Sequence, residues 1–413
     1  MRRDEADDRD PRPGALCAFW PESEPPLEEE IRLAFLTAFP EASLVDELER
    51  AEDLHWGLVF RLPDVDGDVV ISAEPQDSLD PEFISEALDD PLERSAALAV
   101  KHLIVVEIPC DPPRAAAAYR LQARMLEAAC VPGFPAVFDE PAAVVRSGRD
   151  VRALALAESP PGPEALYAVH VSDGETGAWV HTHGLERLGL PELEIWGVDD
   201  ADVAAAEALL HGVVGALQGG VVPDESGVIS AGHDLSLRLM SLDDALRDLP
   251  AEIVASRREH EADENGDHHG PRLVLADVAL AEPPTAALDR VAESAAFYKP
   301  RSEARRRRRI AEERFGVFGQ LFAMKRKAGW RFLAQLGFPT KGGEGTEHLW
   351  FAVDELKPGR LRGACLNAPA GVDHVRQGDE GWYGLEQLTD WLVVAPDGVY
   401  GPEAAPRVLE QEP

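Results

Sequence analysis

Apolar residues recur along the chain with two spacings, one typical of helices and one typical of strands. Residues 27–39 carry apolar positions at a helical period, whereas residues 102–108 form a continuous apolar run that is typical of a buried strand. Further helices are predicted at 80–88, 113–129 and 200–217. Further strands are predicted at 56–62, 68–71, 136–138, 166–171 and 178–182. This mixture predicts an α+β fold.

The last quarter of the chain has a different pattern. Short apolar stretches at 349–353, 361–366, 382–383 and 391–394 alternate with turns that are rich in Gly, Asp and Pro. Such spacing is typical of a small antiparallel sheet or a partly open barrel. We therefore expect a multi-domain α+β protein, in which mixed α/β N-terminal and central regions precede a small antiparallel β-rich C-terminal module.

The chain is longer than one ordinary domain, so several domains are expected from its 413 residues. Changes in composition suggest where the boundaries fall. The predicted segments are a disordered leader (1–13), an α+β domain (14–110), an α/β domain (111–256), an acidic linker (257–272), a helical, basic connector (273–327), a β-rich module (328–402) and a tail (403–413).

Composition narrows both the compartment and the class of partner. The N-terminus is charged, and no apolar run reaches the roughly 20 residues that span a bilayer, so neither a signal peptide nor a membrane span is predicted. The four cysteines form no CxxC pair, which is typical of reduced thiols in a cytoplasm. The net charge of −36 disfavours general nucleic-acid binding, because phosphates would be repelled, and favours a basic protein partner.

One segment departs from this acidity. Residues 299–331 hold twelve basic residues and three acidic ones, and the rest of the chain has a net charge of −45. The run Arg305, Arg306, Arg307, Arg308 and Arg309 suggests local nucleic-acid binding. The helical spacing of the apolar residues that follow favours a different interpretation, an amphipathic helix whose arginines face solvent or another domain.

The candidate chemistry lies at 178–182 and in the residues that follow. His181 and His183 would share one face of a strand, and so would Glu192 and Glu194 in the next apolar stretch. If the two stretches pair, imidazoles and carboxylates converge into a ligand set for a divalent metal such as zinc, iron or manganese. A metal-bound water would then be a hydrolytic nucleophile. The other interpretation is a polar face that is satisfied within the protein or by a partner.

No other cofactor is predicted, because the chain contains no P-loop and no G-x-S-x-G motif. The glycines at 215, 219 and 220 end a predicted helix, whereas a dinucleotide-binding loop precedes one.

Four short motifs follow one another near the end of the chain. They are His348-Leu349-Trp350, Gly363 to Pro369 with Asn367, Gly378-Asp379 and Asp390-Trp391. With these motifs, residues 328–402 resemble a bacterial domain-of-unknown-function family, twenty-three-fourteen. An extra residue between Gly363 and Leu366 departs from the family pattern. We expect the motif residues to be mainly structural, as turn formers and as aromatic core. They are His348, Trp350, Asn367, Pro369, Gly378, Asp379, Asp390 and Trp391.

A second resemblance lies upstream. The stretches 181–185 (His-Thr-His-Gly-Leu) and 191–194 (Pro-Glu-Leu-Glu) resemble another uncharacterised bacterial family, forty-twenty-six. Modules similar to these two occur near polymorphic-toxin immunity genes. The resemblance therefore implies a cytoplasmic binding role without catalysis.

Three functions follow from these observations. The favoured one is a non-catalytic protein-binding or regulatory role in a bacterial cytoplasm, of the toxin-immunity type, with a basic protein partner. The alternative is a metal-dependent hydrolase that uses His181 and His183 with Glu192 or Glu194. The third is local nucleic-acid binding through Arg305–Arg309. The oligomeric state is not predicted.

Overall fold

The protein is described by a computed structural model in which two compact units can be distinguished. They are Met1–Tyr298, called here the N-terminal unit, and Lys299–Pro413, called here the C-terminal unit. The described residues are 13–77, 79–130, 133–157, 160–232, 235–259, 271–278, 280, 284–287, 301–341, 346–369, 371–396, 398–402 and 404–410.

The first sheet of the N-terminal unit has seven antiparallel strands within these ranges. They are β1 (Pro13–Trp20), β2 (Ser43–Leu48), β3 (Trp56–Arg61), β4 (Asp68–Pro75), β5 (His102–Pro109), β6 (Ala136–Asp139) and β7 (Val144–Ser147). Their order across the sheet is β2-β3-β4-β5-β1-β6-β7. The first strand of the chain therefore lies inside the sheet, where Leu16 is opposite Val106 on one side and Asp139 on the other.

Helices cover this sheet and bury its apolar side chains. They are α1 (Glu28–Ala38), α2 (Pro81–Ala87), α3 (Pro91–Leu98), α4 (Ala115–Ala129) and α5 (Gly148–Leu156). The starts of α2 and α3 follow from their sequence, because Asp80 and Asp90 each accept a hydrogen bond from a backbone N–H of the first turn, and proline stands at the first helical position. Phe35 of α1 and Tyr119 of α4 are buried in the core beside the sheet.

The second sheet of the N-terminal unit has six strands in the described part of the chain. They are β8 (Ala168–Ser172), β9 (Ala178–His183), β10 (Glu192–Val198), β11 (Val228–Gly232), β12 (Leu235–Ser241) and β13 (Arg272–Asp277). Their order is β11-β12-β13-β10-β9-β8, and β10 and β13 run parallel. One face packs on α6 (Val203–Gln218) and the other on α7 (Leu242–Asp248) and α8 (Ala251–Glu259).

A buried ion pair joins the two sheets. Arg187, in the turn between β9 and β10, places Nη2 2.7 Å from Oδ1 of Asp139 on β6, and both side chains are almost fully buried. The hydroxyl of Tyr119 and Nε of Arg146 donate to Oδ2 of Asp139, at 2.9 Å and 3.1 Å. Nη1 of Arg187 also donates to the carbonyl of Leu166. Burial alone would raise the pKa of Asp139, but the charges of Arg187 and Arg146 hold it below its usual value.

The C-terminal unit contains a six-stranded antiparallel sheet within its described ranges. The strands are β14 (Arg331–Pro339), β15 (Thr346–Lys357), β16 (Arg360–Cys365), β17 (Glu380–Gly384), β18 (Leu388–Ala395) and β19 (Gly398–Tyr400), in the order β17-β16-β15-β14-β18-β19. Alternate residues of the long strands are buried under the helices α9 (Arg301–Glu313), α10 (Phe315–Lys325) and α11 (Ala405–Glu410). The predicted α+β class and the β-rich C-terminal region are confirmed.

The structure corrects several predicted boundaries. The division at residue 110 falls inside the first sheet, because β6 pairs with β1. Pro13, assigned to the leader, begins β1, and the rest of the leader lies outside the described residues. Both ends of the linker predicted at 257–272 belong to regular elements, because Arg257 is a buried residue of α8 and Arg272 begins β13. Residues 260–270 of that linker are outside the described ranges.

Two further segments belong to folded units. The connector predicted at 273–327 begins within β13 and ends after helices that contribute Phe318 and Phe322 to the core of the C-terminal unit. The tail predicted at 403–413 includes α11, which buries Ala405 and Val408 in the same core. These errors share one cause, since each depends on contacts between residues far apart in the chain.

Two observations bear on the expectations from composition. Cys17, Cys110, Cys130 and Cys365 are all free thiols. In the part of the chain that the structure describes, no helix combines the length and the apolar character needed to cross a membrane.

Candidate functional site

The stretches that carry His181 and Glu194 are neighbouring strands. In the register of β9 and β10, His181 is opposite Glu194. On the other side of β9, His170 of β8 is opposite His181. The pairing that the metal hypothesis requires is therefore present, and the hairpin formed by β8 and β9 adds His170, which was not among the predicted site residues.

Three imidazole rings lie together at this edge of the second sheet. The ring centres of His170 and His181 are 5.7 Å apart, those of His170 and His183 are 4.7 Å apart, and those of His181 and His183 are 5.0 Å apart. Nε2 of His170 lies 3.0 Å from the carbonyl oxygen of Ala142, which precedes β7 of the first sheet. We call these three residues the histidine cluster.

Aromatic and cationic side chains extend the histidine cluster into the interior. The ring of Trp179 stacks on that of His181, with the centres 3.7 Å apart and the planes 13° apart. The guanidinium of Arg257, from α8, lies 4.3 Å from the ring centre of Trp179. The result is a buried stack of guanidinium, indole and imidazole, in which contact between flat groups replaces contact with water.

Glu194 is enclosed by donors on several sides and is 1% exposed. Nε1 of Trp179 and Nε1 of Trp196 donate to its Oε2 at 3.1 Å and 2.8 Å. Nε of Arg257 and Nη1 of Arg272 approach it at 3.3 Å and 3.5 Å. Because a buried carboxylate needs such partners to offset its desolvation, these contacts explain how the charge is kept inside the fold.

Glu192 lies in a separate network. Its carboxylate accepts hydrogen bonds from Oγ1 of Thr182 at 2.6 Å and from the backbone N–H groups of Gly184 and Leu185 at 2.9 Å and 2.8 Å. It therefore fixes the turn after β9, where Gly184 has a φ of +100° that favours glycine. Burial raises the pKa of Glu192 to about 7. Glu192 and Glu194 thus do not act as the carboxylate pair that the sequence suggested.

The imidazoles are neutral at physiological pH. Burial, helped by the neighbouring histidines, lowers the pKa of His181 to about 2 and that of His183 to about 3. Burial also lowers the pKa of His170. Neutral imidazole is the form that binds metals. Among the described residues, however, no group of three or more His, Cys, Asp and Glu side chains is arranged to hold a metal ion.

The histidine cluster should make stability depend on pH. A histidine whose pKa is lower in the folded than in the unfolded chain stabilises fully above the unfolded value of 6.5, and this contribution is lost as the pH falls toward the folded values of about 3 and about 2. We expect the free energy of unfolding to fall by about 1.4 kcal/mol per pH unit for each fully shifted histidine. Denaturant titrations at several values between pH 7 and pH 5 measure this slope.

Matched variants separate the histidines from other titrating groups. His181→Gln removes one buried imidazole and should make the pH dependence shallower, whereas Val180→Ala changes a buried residue of the same strand that carries no titrating group and should leave the slope unchanged. An equal slope in wild type and His181→Gln would contradict the assignment.

Several motif residues of the C-terminal unit make hydrogen bonds in turns or lie in the core, whereas His348 is exposed and Trp350 is half-buried on β15. Asn367 accepts a hydrogen bond from the N–H of Trp350, and Asp379 accepts one from the N–H of Arg376. The other motif residues differ in their hydrogen bonds, backbone conformation and burial. Nδ1 of His348 lies 3.1 Å from Oγ1 of Thr389, and Asp390 accepts a hydrogen bond from the N–H of Trp391. Gly378 has a φ of +86°. Pro369 is half-buried and Trp391 is fully buried.

The basic run lies on α9 and is partly used within its own unit. Arg306 is 9% exposed. Nε of Arg308 donates to Glu312 and its Nη2 donates to the carbonyl of Glu386, both at 2.8 Å. Arg307 is half-buried and Arg309 is exposed, while the side chain of Arg305 lies outside the described residues. The run is therefore not a uniform solvent-facing stripe.

These features define an α+β protein of two units with a partly buried histidine cluster. Residues 166–276, which span the second sheet from β8 almost to the end of β13, match the family model described as Protein of unknown function (DUF4026) C-terminal. Residues 308–404 match the model described as Uncharacterized protein conserved in bacteria (DUF2314). Both resemblances drawn from the motifs are confirmed. No curated protein and no solved structure matches the chain.

Proposed function

We propose that the protein is a non-catalytic binding protein of the bacterial cytoplasm, whose N-terminal unit binds a basic protein partner. The observation that carries the proposal is the segregation of charge. Residues 1–298 hold 60 acidic and 22 basic residues, a net charge of −38, whereas residues 299–413 hold 16 acidic and 18 basic residues, a net charge of +2. The division between these two stretches is also the division between the two compact units.

The excess charge cannot be neutralised within the N-terminal unit. At most 22 of its 60 acidic side chains can be matched one for one by a base of the same unit. A surface of this sign concentrates cationic ligands, accelerates their association and repels nucleic acid. A toxin-immunity role is the form of this proposal in which the partner is a basic toxin, such as a nuclease.

The central carboxylates support a role without catalysis. Glu194 is buried and bound by indole and guanidinium donors, and Glu192 is bound by a hydroxyl and two backbone N–H groups. Both side chains serve contacts that hold the second sheet together.

Affinity capture from the native bacterium tests the proposal. We expect a basic protein to be retained at low salt and released at high salt, because the screening length shortens several-fold between these conditions. The captured protein is then purified and its dissociation constant is measured against the full chain at both salt concentrations. Weakening of binding by at least about tenfold at high salt is the expected result. A partner that is acidic, or whose binding is insensitive to salt, would contradict the proposal.

A metal-dependent hydrolase is the second candidate, and the contact of three neutral imidazoles is the observation that favours it. His170, His181 and His183 would supply the nitrogen ligands. The hypothesis requires stoichiometric metal in the purified protein and its loss in His181→Ala and His183→Ala, which elemental analysis measures.

Local nucleic-acid binding through α9 is less well supported. The buried position of Arg306 and the internal bonds of Arg308 leave fewer guanidinium groups for phosphates than the sequence suggests.

A further inference from the structure

β2 is an exposed edge strand of the first sheet. It pairs with β3 on one side and stands at the end of the strand order. Five of its six residues are exposed. The strand at the opposite edge, β7, has four residues that are buried or half-buried, and β8 at the edge of the second sheet is mostly half-buried. Among these edges, β2 is the one most accessible to another chain.

An edge strand offers backbone donors and acceptors to an incoming strand. Alternate N–H and C=O groups of such a strand point away from its neighbour in the sheet, and an extended peptide can pair with them. In β2 the pairing with β3 shifts register between Leu44 and Asp46, and the N–H of Glu47 donates to Oδ1 of Asp46 at 2.9 Å, so an added strand must replace that local bond. On β2 the side chains of Val45 and Leu48 are 46% and 40% exposed, so an added strand would also find apolar contact. Leu33 of α1 is 67% exposed.

The charge around β2 selects among possible occupants. Residues 22–53, which contain α1 and β2, hold eleven acidic residues and two arginines. Each arginine already contacts a glutamate of α1, Arg32 with Glu29 and Arg50 with Glu28. The contact between Arg50 and Glu28 also shows that the start of α1 lies beside the end of β2.

This charge disfavours a second copy of the chain. Pairing two copies of β2 would bring Asp46 and Glu47 of one copy close to the same residues of the other. Like charges across a strand pair are destabilising, and charged edge strands are a common protection against such self-association. A strand that carries lysine or arginine at alternate positions would meet the opposite charge instead.

We propose that β2 receives an additional strand from a protein partner, an extended segment rich in lysine or arginine. The inference rests on the proposed binding function and names its site and mode. Backbone pairing with β2 provides the geometry, and the carboxylates that flank the strand select for positive charge.

Synthetic peptides test this mode directly on the full chain. The probe is a labelled peptide that alternates lysine and valine, and binding is followed by fluorescence anisotropy at low salt. A peptide of the same sequence with every backbone nitrogen methylated has the same charge but no N–H donors. We expect it to bind at least about tenfold more weakly, because strand addition requires those donors. A peptide with glutamate in place of lysine should not bind.

Two protein variants locate the site. Asp46→Asn, Glu47→Gln and Glu49→Gln together should weaken binding of the lysine–valine peptide by about tenfold, through the loss of three exposed charges. The matched control neutralises three exposed acids elsewhere in the N-terminal unit, Glu86→Gln, Asp243→Asn and Glu252→Gln. It should change binding by less than about threefold. Amide hydrogen exchange should slow within residues 43–48 when the peptide is bound.

The outcomes are distinguishable from those of the proposed function. Equal binding of the methylated and unmethylated peptides, or equal losses in the two triple variants, would overturn strand addition at β2. If the native partner binds in a salt-sensitive way but slows exchange elsewhere, the binding function stands and this inference is wrong. If β2 binds the peptide while no basic partner is captured, β2 is able to accept an added strand but the proposed function is wrong.

Discussion

Asp139→Asn is expected to lower the free energy of unfolding of the N-terminal unit by about 3–5 kcal/mol. The substitution keeps the shape of the side chain but removes the charge that faces Arg187. That guanidinium would remain buried beside a neutral amide, and an uncompensated buried charge is strongly destabilising. The hydroxyl of Tyr119 would also lose a charged acceptor.

Chemical denaturation measures this effect, with the two units fitted as separate transitions. Asp68→Asn is the matched control, because Asp68 pairs with Arg61 at 2.6 Å on the exposed surface of the same sheet. Its expected cost is below about 1 kcal/mol. The double variant Asp139→Asn with Arg187→Met should be less destabilised than the sum of the single variants, since the unpaired charge is removed. Similar costs for Asp139→Asn and Asp68→Asn would show that the buried network is not important for stability.

Trp391→Ala is expected to destabilise the C-terminal unit by about 3–5 kcal/mol. Trp391 is fully buried against Phe318, with ring centres 5.2 Å apart, and its Nε1 donates to the carbonyl of Ala311 on α9 at 3.0 Å. Removing the indole leaves a cavity and an unsatisfied carbonyl between the helix and the sheet.

Two other substitutions separate the contribution of the buried ring from that of the indole N–H group. Trp350→Ala changes the other motif tryptophan, which is half-buried on β15, and should cost about 1–2 kcal/mol because less apolar surface is lost. Trp391→Phe retains an aromatic ring but not the N–H group, and should fall between the two. Denaturation of the full chain gives all three values. If Trp391→Ala and Trp350→Ala cost the same, the motif residue Trp391 is not the core residue that its burial indicates.

Several elements were predictable because their signals are local. The apolar period at 27–39 predicts α1, the continuous run at 102–108 predicts β5, and the alanine-rich stretch at 113–129 contains the whole of α4. A helix or strand that must bury one face requires its apolar residues at a fixed spacing, so the pattern can be read within a dozen residues. β1 lies between β5 and β6 in the sheet, but the sequence pattern did not predict it. Its short apolar run follows a proline and a glycine, which are typical of a turn.

At the candidate site, the contacts between residues depend on strand register, which the local spacing of apolar residues does not determine. The strands predicted at 166–171 and 178–182 correspond to β8 (Ala168–Ser172) and β9 (Ala178–His183). Their pairing register, which places His170 opposite His181, depends on the connecting turn and on burial in the sheet, and the spacing of apolar residues does not reveal it. The separation of Glu192 from Glu194 was equally hidden, because it depends on hydrogen bonds to Thr182 on β9 and to Arg257 on α8.

Composition and short-range spacing are enough to predict the α+β class, most element positions, the segregation of acidic charge and the motifs of two families. Three features depend on tertiary contacts: β1 lies inside the first sheet, β13 runs parallel to β10, and three imidazoles meet beside Trp179. Strand order and register are fixed by the burial of side chains far apart in the chain. The same long-range burial determines which polar groups are bonded inside and which edge, here β2, is left exposed.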